Sequence, residues 1–128
     1  MRICIDLDGV IAQLKKDGES YSDVAPVEGA VDKLNSLKSS GHYIILYTAR
    51  HMKTCDANVG RVIARQGKVT LDWLKLHDVP YDEVYFGKPW ADVYLDDNAM
   101  RFQSWEAISG DGSTFEPSTE SKRKKADS

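Results

Sequence analysis

Four short clusters of reactive side chains punctuate this sequence: Asp6-Leu7-Asp8-Gly9, Thr48-Ala49-Arg50, Gly87-Lys88 and Asp96-Asp97. Several carboxylates close together repel each other unless a cation lies among them. A small set of oxygen ligands suits Mg²⁺, which keeps waters and shares substrate phosphate. A carboxylate held near such an ion can attack phosphorus and form an aspartyl-phosphate. A second carboxylate two residues along the same strand points to the same side. It can protonate the leaving oxygen and then activate water. A lysine and a hydroxyl can hold the phosphoryl oxygens while charge builds on them. These parts suffice for phosphoryl transfer if the fold brings them together.

The elements that must position them alternate between short apolar runs and helical patterns, which predicts βαβ units on a parallel sheet. Ile3, Ile5 and Leu7, with Cys4 between, predict a first strand, in which Cys4 reads as a small core residue. Ala30, Leu34 and Leu37 have helical spacing after Pro26 to Gly29, and that helix is expected to stop near Gly41. Tyr43 to Tyr47 predicts a second, buried strand. A polar loop from His51 to Asn58 leads to a helical segment over 59–66. Thr70 then reads as the cap of a further helix carrying Leu71, Trp73, Leu74 and Leu76, ending before Pro80. Glu83 to Phe86 and Ala91 to Leu95 predict two more strands, and an amphipathic piece around Phe102, Trp105 and Ile108 closes the domain. In an open parallel sheet ligands bind at the carboxyl ends of strands. All four clusters fall at such ends.

The stretch Ile3-Cys4-Ile5-Asp6-Leu7-Asp8-Gly9-Val10 resembles the first motif of the haloacid dehalogenase (HAD) superfamily, a hydrophobic strand followed by Asp-x-Asp-Gly-Thr/Val. Leu46-Tyr47-Thr48 resembles the second motif, Lys88 after a strand the third, and Val93-Tyr94-Leu95-Asp96-Asp97 the fourth. An Asp-x-Asp-Gly alone also occurs in calcium loops; four motifs in the family's order, spanning residues 3 to 97, are far more specific. The resemblance implies an α/β fold, a Rossmann-like three-layer sandwich about a mostly parallel central sheet. It makes Asp6 the nucleophile and a metal ligand, and Asp8 the acid/base, giving the metal its backbone carbonyl. Thr48 and Lys88 would bind phosphate, with Gly9, Ala49 and Arg50 beside them on the substrate side. Asp97 would be a third ligand of Mg²⁺, with Asp96 orienting Lys88 or a metal-bound water, although either aspartate could contact the ion. Family members that cleave carbon–halogen bonds lack an acid at the position of Asp8, and ion-pumping ATPases carry Thr there. An Asp implies rapid hydrolysis, hence a phosphatase.

Residues 10–29 leave room for a short flap, and residues 49–87 are used by helices and a strand, so no cap domain is expected and the site should be open. Tyr47-Thr48-Ala49-Arg50, Thr70 to Leu74, Pro80 to Trp90 and Asp96 to Phe102 are similar to short capless HAD proteins of capsule or lipopolysaccharide biosynthesis. That implies a small-molecule ester, a sugar or polyol phosphate. A nucleotide or polynucleotide-end phosphatase is the alternative within enzymes, and a non-catalytic binding or regulatory HAD-fold domain the alternative outside them. Arg50, two positions past Thr48, is expected at the pocket rim, where a guanidinium fits a phosphate or carboxylate at two points; a surface ion pair is its plainer reading. His51, Lys53 and Asn58 could meet the leaving group or simply be solvated. Trp90 could stack on a ring or pack its loop, and His77 reads as a helix-end residue.

The bulk numbers agree with a single domain. The chain has 128 residues, 41% of them hydrophobic and 29% charged, with a formal net charge of -3. That balance gives no reason to expect nucleic acid. No run is long enough to span a bilayer, and the acidic start does not resemble a signal peptide, so a cytoplasmic protein without membrane partners is expected. Two cysteines make no disulfide framework, and Cys55 has no evident role. The HAD-like domain is expected over 1–109. Residues 110–128, rich in Gly, Ser, Thr, Glu and Lys, read as a disordered tail whose Lys122-Arg123-Lys124-Lys125 cluster is a solvated end or, less simply, an anchor for anionic surfaces.

Overall fold

A computed structural model describes residues 1–117. It is a small α/β fold: β1 (Arg2–Asp6), α1 (Ala30–Ser39), β2 (Tyr43–Thr48), α2 (Val59–Leu76) and β3 (Glu83–Phe86). The strands form one parallel sheet in the order β1-β2-β3. Parallel neighbours need a long crossover, and the two helical connections supply them. Arg2 to Asp6 pair with Tyr43 to Tyr47, and Ile45 to Thr48 with Glu83 to Phe86. The Leu7 N–H continues the ladder to Tyr47 O at 3.0 Å. The register therefore sets the carboxyl ends of all three strands side by side.

Alternation decides the faces. Ile5, Leu7, Ile44 and Leu46 are buried and pack with Leu34 and Leu37 of α1 and Trp73 and Leu74 of α2 in one core. Each such aliphatic side chain stabilises the fold by about 1.5–3 kcal/mol on burial. Cys4 falls on the other face and is exposed, against the expectation of a core residue: the period-2 pleat that turns Ile3 and Ile5 toward the core turns it outward. Cys55 is instead buried, with Met52 and Val62 in a smaller cluster.

α1 begins after Gly29 and ends before Gly41, as its spacing predicts. The two helical segments expected beyond residue 58 are one 18-residue helix. Thr70 lies inside it and is fully buried, so it is not a cap. The helix runs through because Val62, Gly67, Thr70, Trp73 and Leu74 form a continuous buried stripe, and a shared apolar face outweighs the cost of one interior glycine. Asn58 caps its start, accepting the Arg61 N–H at 3.1 Å.

The expected fourth strand is absent. Residues 91–101 are exposed throughout, with Val93 at 76% and Leu95 at 99%. The bonds this segment makes are local and form no ladder. The Tyr94 hydroxyl donates to Pro89 O, and Asp96 Oδ1 accepts the Asn98 N–H at 3.2 Å. Residues 102–108 form no helix, yet Trp105 and Ile108 are buried, and the Trp105 indole donates to Val10 O at 2.7 Å.

The tail expected from residue 110 begins docked. Gly110 O accepts from Ser40 Oγ, His42 Nε2 pairs with Asp111 O, and Phe115 packs on the core. The basic cluster Lys122 to Lys125 lies outside the described residues.

Candidate functional site

The site is built where the three strands end. Asp6 closes β1, Thr48 closes β2, and Lys88 follows β3 by two residues. The Lys88 N–H donates to Thr48 O at 3.1 Å, which ties the β3 exit to β2. Gly87 makes this exit possible. Its φ is +94°, and a Cβ there would lie 2.8 Å from Val59 Cγ2 at the start of α2. A larger residue would face both left-handed strain and a collision with that helix.

Asp6 and Asp8 each meet a fixed cation. Lys88 Nζ stands 3.5 Å from Asp6 Oδ2. Burial raises the Asp6 carboxyl above its ordinary range; Lys88 opposes that rise and the neighbouring Asp8 adds to it. Asp8 has both oxygens engaged. Its Oδ1 accepts from Arg50 Nε at 2.9 Å and its Oδ2 from the Thr48 hydroxyl at 2.8 Å. Thr48 Oγ1 in turn accepts the Arg50 N–H at 3.1 Å. The mutual repulsion of the two carboxylates is thus offset by Lys88 and Arg50.

Arg50 is not at the rim. Its side chain is completely buried. Nη1 donates to Thr70 Oγ1 of α2 at 3.1 Å, and the Tyr21 ring lies 4.3 Å from the guanidinium carbon. Among the described residues Nη2 has no hydrogen-bond partner. The surface ion pair, its plainer reading, is replaced by a buried one, because burying a guanidinium requires a carboxylate and further acceptors around it. Tyr21 and Thr70 are the site residues that sequence reasoning missed. A threonine in the middle of an otherwise apolar helix stripe was the available signal for one; Tyr21, in an irregular loop, carried none.

The remaining expected site residues divide. Gly9 follows Asp8, but its N–H is used within the turn, donating to Ala12 O at 2.7 Å. Ala49 is half-buried against the Met52, Cys55 and Val62 cluster. Asp96 and Asp97 are exposed and are not brought to Asp6 and Asp8 in a metal-holding group. Among the described residues no three Asp, Glu, His or Cys side chains are grouped to hold a metal ion. Asp96 and Asp97 stay outside for the same reason that the fourth strand is absent: the ladder that would carry them inward does not form.

Around the rim, the Tyr94 ring lies 4.3 Å from Lys88 Nζ, and Trp90 is 55% exposed with Lys53 Nζ 4.6 Å from its ring. His51 meets Tyr21 edge to face at 5.5 Å. Burial, followed by the charges of Arg65, Arg50 and Lys15, lowers the His51 imidazole below its usual value. His77 is the residue that ends α2, its ring 4.6 Å from that of Trp73.

The crystal structure of an MCSG target from Vibrio cholerae matches this fold with a TM-score of 0.76 and 32% sequence identity, over 84% of this chain and 89% of that one. This chain belongs to the family of that Vibrio cholerae protein. No family model matches the chain, and no curated protein matches it. Among the described residues, no helix is long and apolar enough to cross a membrane.

Proposed function

We propose that this chain is a phosphomonoester hydrolase of the HAD superfamily that works through an aspartyl-phosphate on Asp6. The observation that carries the reading is the meeting of Asp6 with Lys88, 3.5 Å apart, beside an Asp8 whose carboxylate is held at both oxygens. An Asp6 oxygen attacks phosphorus, and the ester P–O bond breaks. Asp8, entering this step in its protonated form, delivers that proton to the departing alkoxide. Asp8 then takes a proton from water as that water attacks the phosphorus, releasing phosphate and restoring the Asp6 carboxylate. Ester and water become alcohol and phosphate, with no net change in the protein. Lys88 offsets charge on Asp6 and on the phosphoryl oxygens.

Mg²⁺ dependence belongs to this reading through the paired aspartates, but with Asp96 and Asp97 outside any metal-holding group, each step above is assigned to the chain's own side chains. A cytoplasmic location belongs to it as well. The exposed Trp90 beside Lys53 favours a sugar or polyol phosphate, since an indole face and a cation suit a ring bearing hydroxyls. A second reading, a HAD-fold binding or regulatory domain without catalysis, is favoured by one observation: Asp96 and Asp97 stand in solvent.

Phosphate release from sugar, polyol and nucleotide phosphates, with Mg²⁺ and with chelator, separates these readings. Metal-dependent turnover that Asp6→Asn abolishes supports the hydrolase, and the preferred ester names the substrate class, nucleotides included. Turnover that survives Asp6→Asn overturns the Asp6 mechanism, and no turnover on any ester favours the binding domain.

A further inference from the structure

We infer that Arg50 is a positioning residue that aims the Asp8 carboxylate through a bridge to Thr70 of α2. This rests on the hydrolase reading, in which Asp8 moves the protons. Arg50 does not reach substrate: its side chain is completely buried, with Tyr21 across the guanidinium at 4.3 Å. Nor does stability account for it. A buried ion pair returns little net stability, because desolvating both charges costs about as much as their attraction returns. What the pair does supply is direction. Arg50 Nε fixes Asp8 Oδ1 at 2.9 Å while the Thr48 hydroxyl fixes Oδ2 at 2.8 Å, so the plane of the carboxylate is set. The planar guanidinium carries this constraint from α2, because its Nη1 is held by Thr70 Oγ1 at 3.1 Å. The Asp8 side chain remains 22% exposed, so the aimed group still faces the site.

A positioning role has a signature distinct from binding and from mere folding. Arg50→Gln should lower kcat about 10–100-fold, the usual effect of losing a group that orients a reacting residue, with KM changed less than twofold. Arg50→Lys, which can reach Asp8 or Thr70 but not both, should recover part of the loss. In an Asp8→Asn background, Arg50→Gln should change the residual rate less than twofold, because the group it acts through is already gone. The assay uses the full chain and the best ester of the panel.

A rise in KM at unchanged kcat would place Arg50 in substrate binding and overturn the inference. Equal losses in the wild-type and Asp8→Asn backgrounds would make Arg50 a folding residue and overturn it too. Should Arg50→Gln fail to fold, Thr70→Val removes only the far anchor. It must then lower kcat at constant KM and lose that effect when combined with Asp8→Asn. Wild type that hydrolyses no ester removes the hydrolase reading and this inference with it, whereas active wild type with insensitive or additive Arg50 variants removes this inference alone.

Discussion

Thr48→Val tests the centre of the site, because the substitution keeps shape and removes one hydroxyl. Thr48 is fully buried, and its hydroxyl donates to Asp8 Oδ2 at 2.8 Å while accepting the Arg50 N–H at 3.1 Å. A hydrogen bond to a neutral group contributes about 1 kcal/mol and one to a charged group about 1.5–3 kcal/mol. Asp8 is partly exposed and can recover a water, so the lower end applies to it, giving a total of about 2–3 kcal/mol. For a domain of this size each kcal/mol shifts Tm by about 4 °C, so the loss should be about 8–12 °C. Thr48→Ser is the control: it keeps the hydroxyl and removes one buried methyl, costing about 1 kcal/mol. The assay is thermal and urea unfolding of both variants, followed by tryptophan fluorescence and circular dichroism. Thr48→Ser must be the more stable variant. If Thr48→Val matches or exceeds it, the hydroxyl does not hold Asp8 and Arg50 together, and the description of the site is wrong.

Three further outcomes follow from particular contacts. Asp6 has a folded-state pKa above its unfolded one, so the fold binds the proton more tightly. That contribution is present below the ordinary carboxylate range and is lost as pH rises through it to the raised value. Asp6→Asn should therefore gain stability relative to wild type across that window in urea titrations at a series of pH values; parallel profiles would contradict the burial argument. Gly112 has φ +82°, and a Cβ there would overlap His42 Nε2, so Gly112→Ala should cost about 1–2 kcal/mol and raise hydrogen exchange in residues 109–115. An unchanged Tm would deny the docking of that segment. Trp73 is 2% exposed and its indole donates to Val24 O at 2.8 Å; Trp73→Phe leaves that carbonyl unpaired and a gap beside it, with an expected loss of about 2–3 kcal/mol by denaturant unfolding. A loss under half that would mean Val24 finds water at no cost.

By itself the sequence determined three strands, the first helix and the meeting of Asp6, Asp8, Thr48 and Lys88. Local periodicity encodes burial directly: alternation in Ile3-Cys4-Ile5-Asp6-Leu7 and helical spacing in Ala30, Leu34 and Leu37 each leave one apolar face that must be covered. Parallel pairing then fixes which strand ends lie together. Tertiary structure decided what periodicity does not encode. The alternation in β1 does not say whether the second face is covered as well, and Cys4 proved to lie on an open one. Thr70 reads as a cap until packing on both sides shows α2 to be continuous. Arg50 reads as a rim cation until the Tyr21 loop closes over it and α2 supplies its second partner. The segment from Ala91 to Leu95 has the composition of a strand, but a strand exists only where a neighbour accepts its hydrogen bonds. Here none does, which leaves Asp96 and Asp97 in solvent.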